Sequence, residues 1–148
     1  MAVFQFESFN KPGFFIRHRD FLGELARDVV GQESDYAFRL VDRGRDDERR
    51  PLVSLGAVAP RRYYLRHSQF RLRLDKSSGA ADPDFRDDST FILESGLAVP
   101  NERNAVSFQS VNYPGRYIRH RDFHLFVDPL DSPNLALDAT FFRTVRFS

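Results

Sequence analysis

The chain contains no cysteine, which excludes disulfides, thiolate nucleophiles and cysteine-based zinc sites. It has no tryptophan and a single methionine. No apolar run approaches the roughly 20 residues needed to span a bilayer. Neither sign of charge dominates: 22 basic residues face 21 acidic ones, interleaved along the chain, for a net +1. That is no electrostatic footprint for nucleic acid. No charged segment followed by an apolar one precedes the first strand-like run at Val3, so the pattern of a signal peptide is missing. The expectation is a soluble cytoplasmic protein if the chain is complete, or an extracellular module if it was cut from a longer secreted enzyme.

What the chain does have is 16 Phe and 5 Tyr, broken up by 8 Gly and 8 Pro. Strand-forming aromatics punctuated by turn formers indicate an all-β protein. The stretch N-Y-P-G-R-Y-I-R-H-R-D-F at residues 112–123 returns as N-K-P-G-F-F-I-R-H-R-D-F at 10–21 and as A-P-R-R-Y-Y-L-R-H-S-Q-F at 59–70. The Arg-His pairs 17–18, 66–67 and 119–120 lie 66 − 17 = 49 and 119 − 66 = 53 residues apart. With the copies in register, Phe6 aligns with Leu55 and Phe108, Ile16 with Leu65 and Ile118, Phe21 with Phe70 and Phe123, and Leu25 with Leu74 and Val127. Each copy closes on an aspartate three residues before a phenylalanine: Asp35 and Phe38, Asp88 and Phe91, Asp138 and Phe141.

In the first copy, residues 3–8, 14–18, 21–25 and 36–41 read as strands and 10–13 as a Pro-Gly turn. Residues 27–34 read as irregular, and the mixed-charge residues 43–50 as a solvated loop. Residues 21–30 also show helical spacing, but the aligned F-R-L-R-L and F-H-L-F-V segments alternate with period two, which favours a strand. Each repeat holds too few apolar positions to bury a core alone, so the three must close on one another. The expected fold is a β-trefoil, a single domain over residues 1–148 with repeats at approximately 1–44, 52–95 and 105–148 and four short strands in each. A three-bladed propeller is the geometric alternative, but propellers usually have at least four blades.

His18, His67 and His120 fall at one repeat-equivalent position, and so do Asp35, Asp88 and Asp138. Singly, each is most simply a backbone-bonded imidazole or a turn-capping carboxylate. Together they suggest a small polar pocket per repeat, suited to a neutral sugar: a carboxylate accepts from neighbouring hydroxyls and an imidazole adds one more bond. Phe15, Tyr64 and Tyr117 are candidates for an apolar wall. H-R-D at 18–20 and 120–122 echoes a kinase catalytic loop, but no asparagine or glycine-rich loop accompanies it. A glycosidase needs two carboxylates flanking one bond, whereas threefold placement separates them. No catalytic residue, metal or cofactor is expected. The competing class is a protein-interaction trefoil, of protease-inhibitor or cytoskeletal-bundler type.

The runs S-F-Q-S-V-N-Y-P-G-R-Y-I-R-H-R-D-F and D-A-T-F-F resemble the arabinose-binding domain of α-L-arabinofuranosidase B, carbohydrate-binding module family 42. The resemblance implies a β-trefoil whose motif histidine and closing aspartate bind arabinofuranose side chains of arabinoxylan and arabinan, in a module usually attached to a secreted glycosidase. It implicates His120 with Asp138, His67 with Asp88, and His18 with Asp35. Two departures stand out. In the second copy Arg61-Arg62 replaces Pro-Gly and Ser68-Gln69 replaces Arg-Asp, an alteration expected to affect the turn geometry of the second site. Gln32 stands where the other copies carry Phe85 and Leu135, leaving the first loop without an apolar anchor. The expected partner is an arabinose-substituted polysaccharide, with no nucleic acid and no membrane.

Overall fold

A computed structural model describes residues 2–77 and 82–147, so both ends of the expected domain, residues 1 and 148, lie outside the described residues. The chain is all-β. In order, the strands are β1 (Val3–Ser8), β2 (Phe14–Arg19), β3 (Leu22–Arg27), β4 (Phe38–Arg45), β5 (Pro51–Ala57), β6 (Tyr63–Ser68), β7 (Arg71–Lys76), β8 (Phe91–Ser95), β9 (Ala105–Ser110), β10 (Arg116–Arg121), β11 (His124–Pro129) and β12 (Phe141–Phe147). Two antiparallel groupings organise them. β1 pairs with β4 and β12, β5 with β4 and β8, and β9 with β8 and β12. The hairpins β2–β3, β6–β7 and β10–β11 meet one another where β3 touches β7 and β11, and β7 touches β11. All twelve strands belong to one sheet, so the pairing of each strand limits exposed edges.

The aligned apolar positions converge. Phe6, Leu55, Phe108, Ile16, Leu65, Ile118, Leu25, Leu74, Val127, Phe38, Phe91 and Phe141 are all buried in one cluster. Gly23 aligns with Leu72 and Leu125, and a Cβ there would lie 3.2 Å from Leu72 and 3.3 Å from Leu125. One bare backbone makes room for two leucines.

Phe21, Phe70 and Phe123 do not join the core. Each sits in a two-residue hairpin turn with positive φ, at 61°, 63° and 65°, preceded by Asp20, Gln69 and Asp122 at 53°, 52° and 53°. Such turns match the twist of the flanking strands but normally favour Asn-Gly, and a bulky residue at positive φ is strained. Tertiary contacts offset the strain. The carbonyls of Phe21, Phe70 and Phe123 accept from the N–H groups of Leu74, Val127 and Leu25 on the neighbouring hairpin, at 2.8 to 2.9 Å. The rings pack onward too: Phe21 on Tyr63 with centroids 5.7 Å apart, Phe123 on Phe14 at 5.3 Å, and Phe70 under the Arg116 guanidinium at 3.7 Å.

Some local readings change. Residues 21–30 contain a strand, β3, rather than a helix, but Phe21 belongs to the turn before it. Tyr36 lies in a 3-10 turn, Glu33–Tyr36, so the fourth strand starts at Phe38 and runs on through Arg45, into the expected loop. The equivalent loops hold two short helices, α1 (Pro83–Asp88) and α2 (Pro133–Asp138). Each has Pro in its first turn, where the ring's fixed φ suits a helix start. Asp82 caps the first by accepting from the Phe85 N–H at 3.0 Å. Helices of six residues leave too little periodicity to read.

Candidate functional site

Each histidine and its aspartate are brought together, and an arginine joins them. Strand alternation turns Arg17, Arg66 and Arg119 to the face opposite His18, His67 and His120. Each arginine Nε then donates to the carbonyl of the following histidine, at 3.2, 2.9 and 2.8 Å. The outer guanidinium nitrogen reaches the aspartate: Arg17 to Asp35 at 2.7 Å, Arg66 to Asp88 at 2.5 Å and Arg119 to Asp138 at 2.6 Å. Asp35 lies within the 3-10 turn, and Asp88 and Asp138 end α1 and α2; buried Tyr36, Phe85 and Leu135 fix those loops to the body. Tyr36 therefore supplies the apolar anchor that Gln32 does not. Its ring meets Phe15 edge-on at 6.4 Å, as Phe85 meets Tyr64 at 6.4 Å. Gln32 instead accepts from Arg17 at 3.1 Å.

A fourth residue completes two of the three sites. Asn112, from the turn after β9, accepts from His67 Nε2 at 2.9 Å and donates to Asp88 Oδ1 at 2.8 Å. Asn10, from the turn after β1, does the same for His120 at 2.7 Å and Asp138 at 2.7 Å. An ionised carboxylate only accepts, so the amide NH₂ must face it, and the amide oxygen must face a protonated Nε2. Ser110 and Ser8 fix the amides by donating to their oxygens at 3.0 and 3.1 Å. Each site thus takes its histidine and aspartate from one copy of the motif and its asparagine from the next. The aligned residue in the middle copy is Ala59. Accordingly His18 Nε2 is buried with no hydrogen-bond partner among the described residues and lies 4.0 Å from Asp35 Oδ1. The altered second turn therefore falls on the first site, contrary to the expectation from its place in the sequence.

Nor are the proposed wall residues placed alike. Tyr117 is buried, its hydroxyl bonded to Gln109 and Glu94, and burial with the neighbouring Glu94 charge pushes its phenol up to about 12. Tyr64 packs on Phe85, and Phe15 on Tyr36. The rings beside His67 are instead Tyr113 and Phe70, at 5.4 and 6.4 Å, which meet each other edge-on at 5.2 Å. In the third site Lys11 stands over the Phe123 ring at 5.0 Å. Sequence reasoning missed the hairpin-tip rings and the asparagines. The signal for the latter was a polar position shared by Asn10 and Asn112 and lost at Ala59.

Chemically, each site offers an arginine-held carboxylate with spare lone pairs. Asp88 and Asp138 are 16% and 19% exposed, enough to meet a ligand hydroxyl. Among the described residues no group of three His, Cys, Asp or Glu side chains is arranged to hold a metal ion. Burial lowers the pKa of His18 and His120, outweighing the opposing pull of Asp35 and Asp138. The unfolded chain takes up these protons below about pH 6.5, while the folded chain resists them. Stability should consequently fall as pH drops through about 6.5 toward the lower folded-state values. A melting temperature flat between about pH 7.5 and 5.5 would contradict that assignment.

The alpha-L-arabinofuranosidase B (ABFB) domain family matches residues 32–143. No curated protein sequence matches the chain. Among solved structures, a point mutant of a GH54 α-L-arabinofuranosidase soaked with 4-nitrophenyl α-L-arabinofuranoside superposes with a TM-score of 0.81 at 21% identity, covering 99% of this chain and 31% of that one. An arabinofuranosidase complexed with arabinofuranosyl-α-1,2-xylobiose gives 0.78 at 21% identity, over 95% and 30%. The BEL β-trefoil gives 0.70 at 14% identity, over 97% and 92%. These likenesses establish a β-trefoil fold, and the chain spans under a third of the arabinofuranosidases it resembles. With more than half its length matched, the chain belongs to the α-L-arabinofuranosidase B domain family, carbohydrate-binding module family 42.

Proposed function

We propose that this chain is a non-catalytic module that binds arabinofuranose side chains of arabinoxylan or arabinan, at sites built on His120 with Asp138 and His67 with Asp88. It forms one domain, residues 1–148, made of three four-stranded repeats at approximately 1–44, 52–95 and 105–148. Its natural setting is a longer secreted protein that carries a glycosidase domain.

The observation that carries this reading is the part-exposed carboxylate, held by Arg119 at 2.6 Å and Asn10 at 2.7 Å in one site and by Arg66 and Asn112 in the other. Such a carboxylate is already oriented, so a sugar's vicinal hydroxyls can donate two hydrogen bonds to it with little reorganisation. Phe123 and Phe70 with Tyr113 supply nearby apolar surface, as ligand sites commonly do. The first site lacks the asparagine, and His18 with Asp35 is accordingly the weakest of the three. A protein-binding trefoil has no need for this four-residue arrangement in two places.

Methyl α-L-arabinofuranoside, which cannot ring-open, should bind at two sites per chain in calorimetric titration, and methyl β-xyloside should not. Equal binding of both, or of neither, would sink the reading.

A further inference from the structure

The Arg61-Arg62 turn has a role not accounted for by the arabinose sites. Together with Arg39, Val3, Val58 and Tyr64 these two residues line a surface depression of about 390 Å³ that contains no carboxylate. Arg61 and Arg62 are exposed, and Arg39 commits one N–H to the Ala57 carbonyl at 3.1 Å. None of the three arginines forms an ion pair among the described residues. The carboxylate opposite Tyr64 on the neighbouring strand, Asp75, is already bound by Arg66 at 3.2 Å and Arg73 at 3.1 Å. A further guanidinium, Arg43, lies 5.4 Å from the centre of the Tyr64 ring.

The backbone also makes room for this cluster. A Cβ on Gly56 would lie 3.2 Å from the Tyr64 ring and 3.4 Å from the Arg39 guanidinium, so the bare glycine lets both close on the floor of the depression. Arg62 holds φ at 68°, a conformation that glycine adopts freely and arginine does not. Arg61 and Arg62 form no ion pair among the described residues, and Arg62 holds its strained backbone at the rim of a depression lined by the Tyr64 ring.

We infer that this depression is an anion subsite that takes the carboxylate of an acidic sugar, one uronate unit, stacked on Tyr64 and gripped by Arg39, Arg61 and Arg62. Guanidinium forks match a planar carboxylate bidentately, and the Tyr64 ring gives the sugar an apolar face. That the carboxylate belongs to a sugar rests on the function proposed above; the anion site does not.

The test titrates glucuronate, glucose and inorganic phosphate into the wild-type chain and into Arg61→Ser/Arg62→Gly, at low and high salt. The double variant should stay folded, because glycine relieves the positive φ and the Ser77 N–H still bonds the backbone oxygen of residue 62. Glucuronate is expected to bind wild type at least roughly tenfold more tightly than glucose, and to lose that advantage in the variant and in high salt. Methyl arabinofuranoside should bind both proteins equally at the sites of His67 with Asp88 and His120 with Asp138, which take their asparagines from other turns. Glucuronate binding no better than glucose, or unchanged in the variant, would overturn the subsite, and phosphate binding as well as glucuronate would overturn the sugar-acid assignment. Failure of arabinofuranoside alone would sink the arabinose reading and leave this one standing.

Discussion

Asp35→Ala is expected to cost about 3 kcal/mol of stability, more than the same change at Asp88 or Asp138, although the sugar site proposed at Asp35 is the weakest of the three. Arg66 and Arg119 each hold a second carboxylate, Asp75 and Asp128, both at 3.2 Å. The residue aligned with those two is Ala26. Without Asp35, the nearly fully buried Arg17 keeps only neutral acceptors: the His18 carbonyl, Gln32 and the Tyr36 hydroxyl. Removing one partner of a buried pair costs about 3 to 5 kcal/mol, and the 31% exposure of Asp35 sets the low end. Asp88→Ala and Asp138→Ala should cost about 1.5 kcal/mol each, near the value of one hydrogen bond to a charged group. Urea denaturation of the three variants checks the order; a smaller loss for Asp35→Ala would show that Arg17 finds its charge balance elsewhere.

Retention on polymer should show the reverse order. A site holding one small sugar binds modestly, and two sites on one rigid chain raise apparent affinity on a substituted polymer by roughly 10² or more without new contacts. Either Asp88→Ala or Asp138→Ala abolishes that linkage, so each should weaken binding to arabinoxylan by about a hundredfold, while affinity for the small furanoside at the remaining site is kept. Asp35→Ala, once folded, should change arabinoxylan binding little. The two intact sites share the same His, Asp, Arg and Asn contacts, so the two damaging variants should be nearly equal. A loss on polymer no larger than one site's share would remove the case for two-site engagement.

How far these sites could be read from the sequence depends on what carried the signal. Ile16, Leu65 and Ile118 revealed the core because burial demands apolar residues at matching places in each copy, and all three are fully buried. The pairing of His120 with Asp138 was legible because both recur in register. Asn10 was not, since it sits 110 residues from His120 and belongs to another copy. A comparison of copies position by position treats each as self-contained, whereas the fold assembles the His67 and His120 sites from two copies each. Tyr36 escaped notice for a related reason: the loop anchor moved four residues along from Gln32, so the alignment registered a loss where packing had been kept. Helices α1 and α2 were too short to show a period.

The most direct test of the account is a crystal structure of the chain soaked with methyl α-L-arabinofuranoside. The account predicts a furanose hydrogen-bonded to Asp138 in the site shared by His120 and Asn10, and a second on Asp88 in the site shared by His67 and Asn112. A sugar bound elsewhere on the trefoil, with both carboxylates facing only solvent, would contradict it.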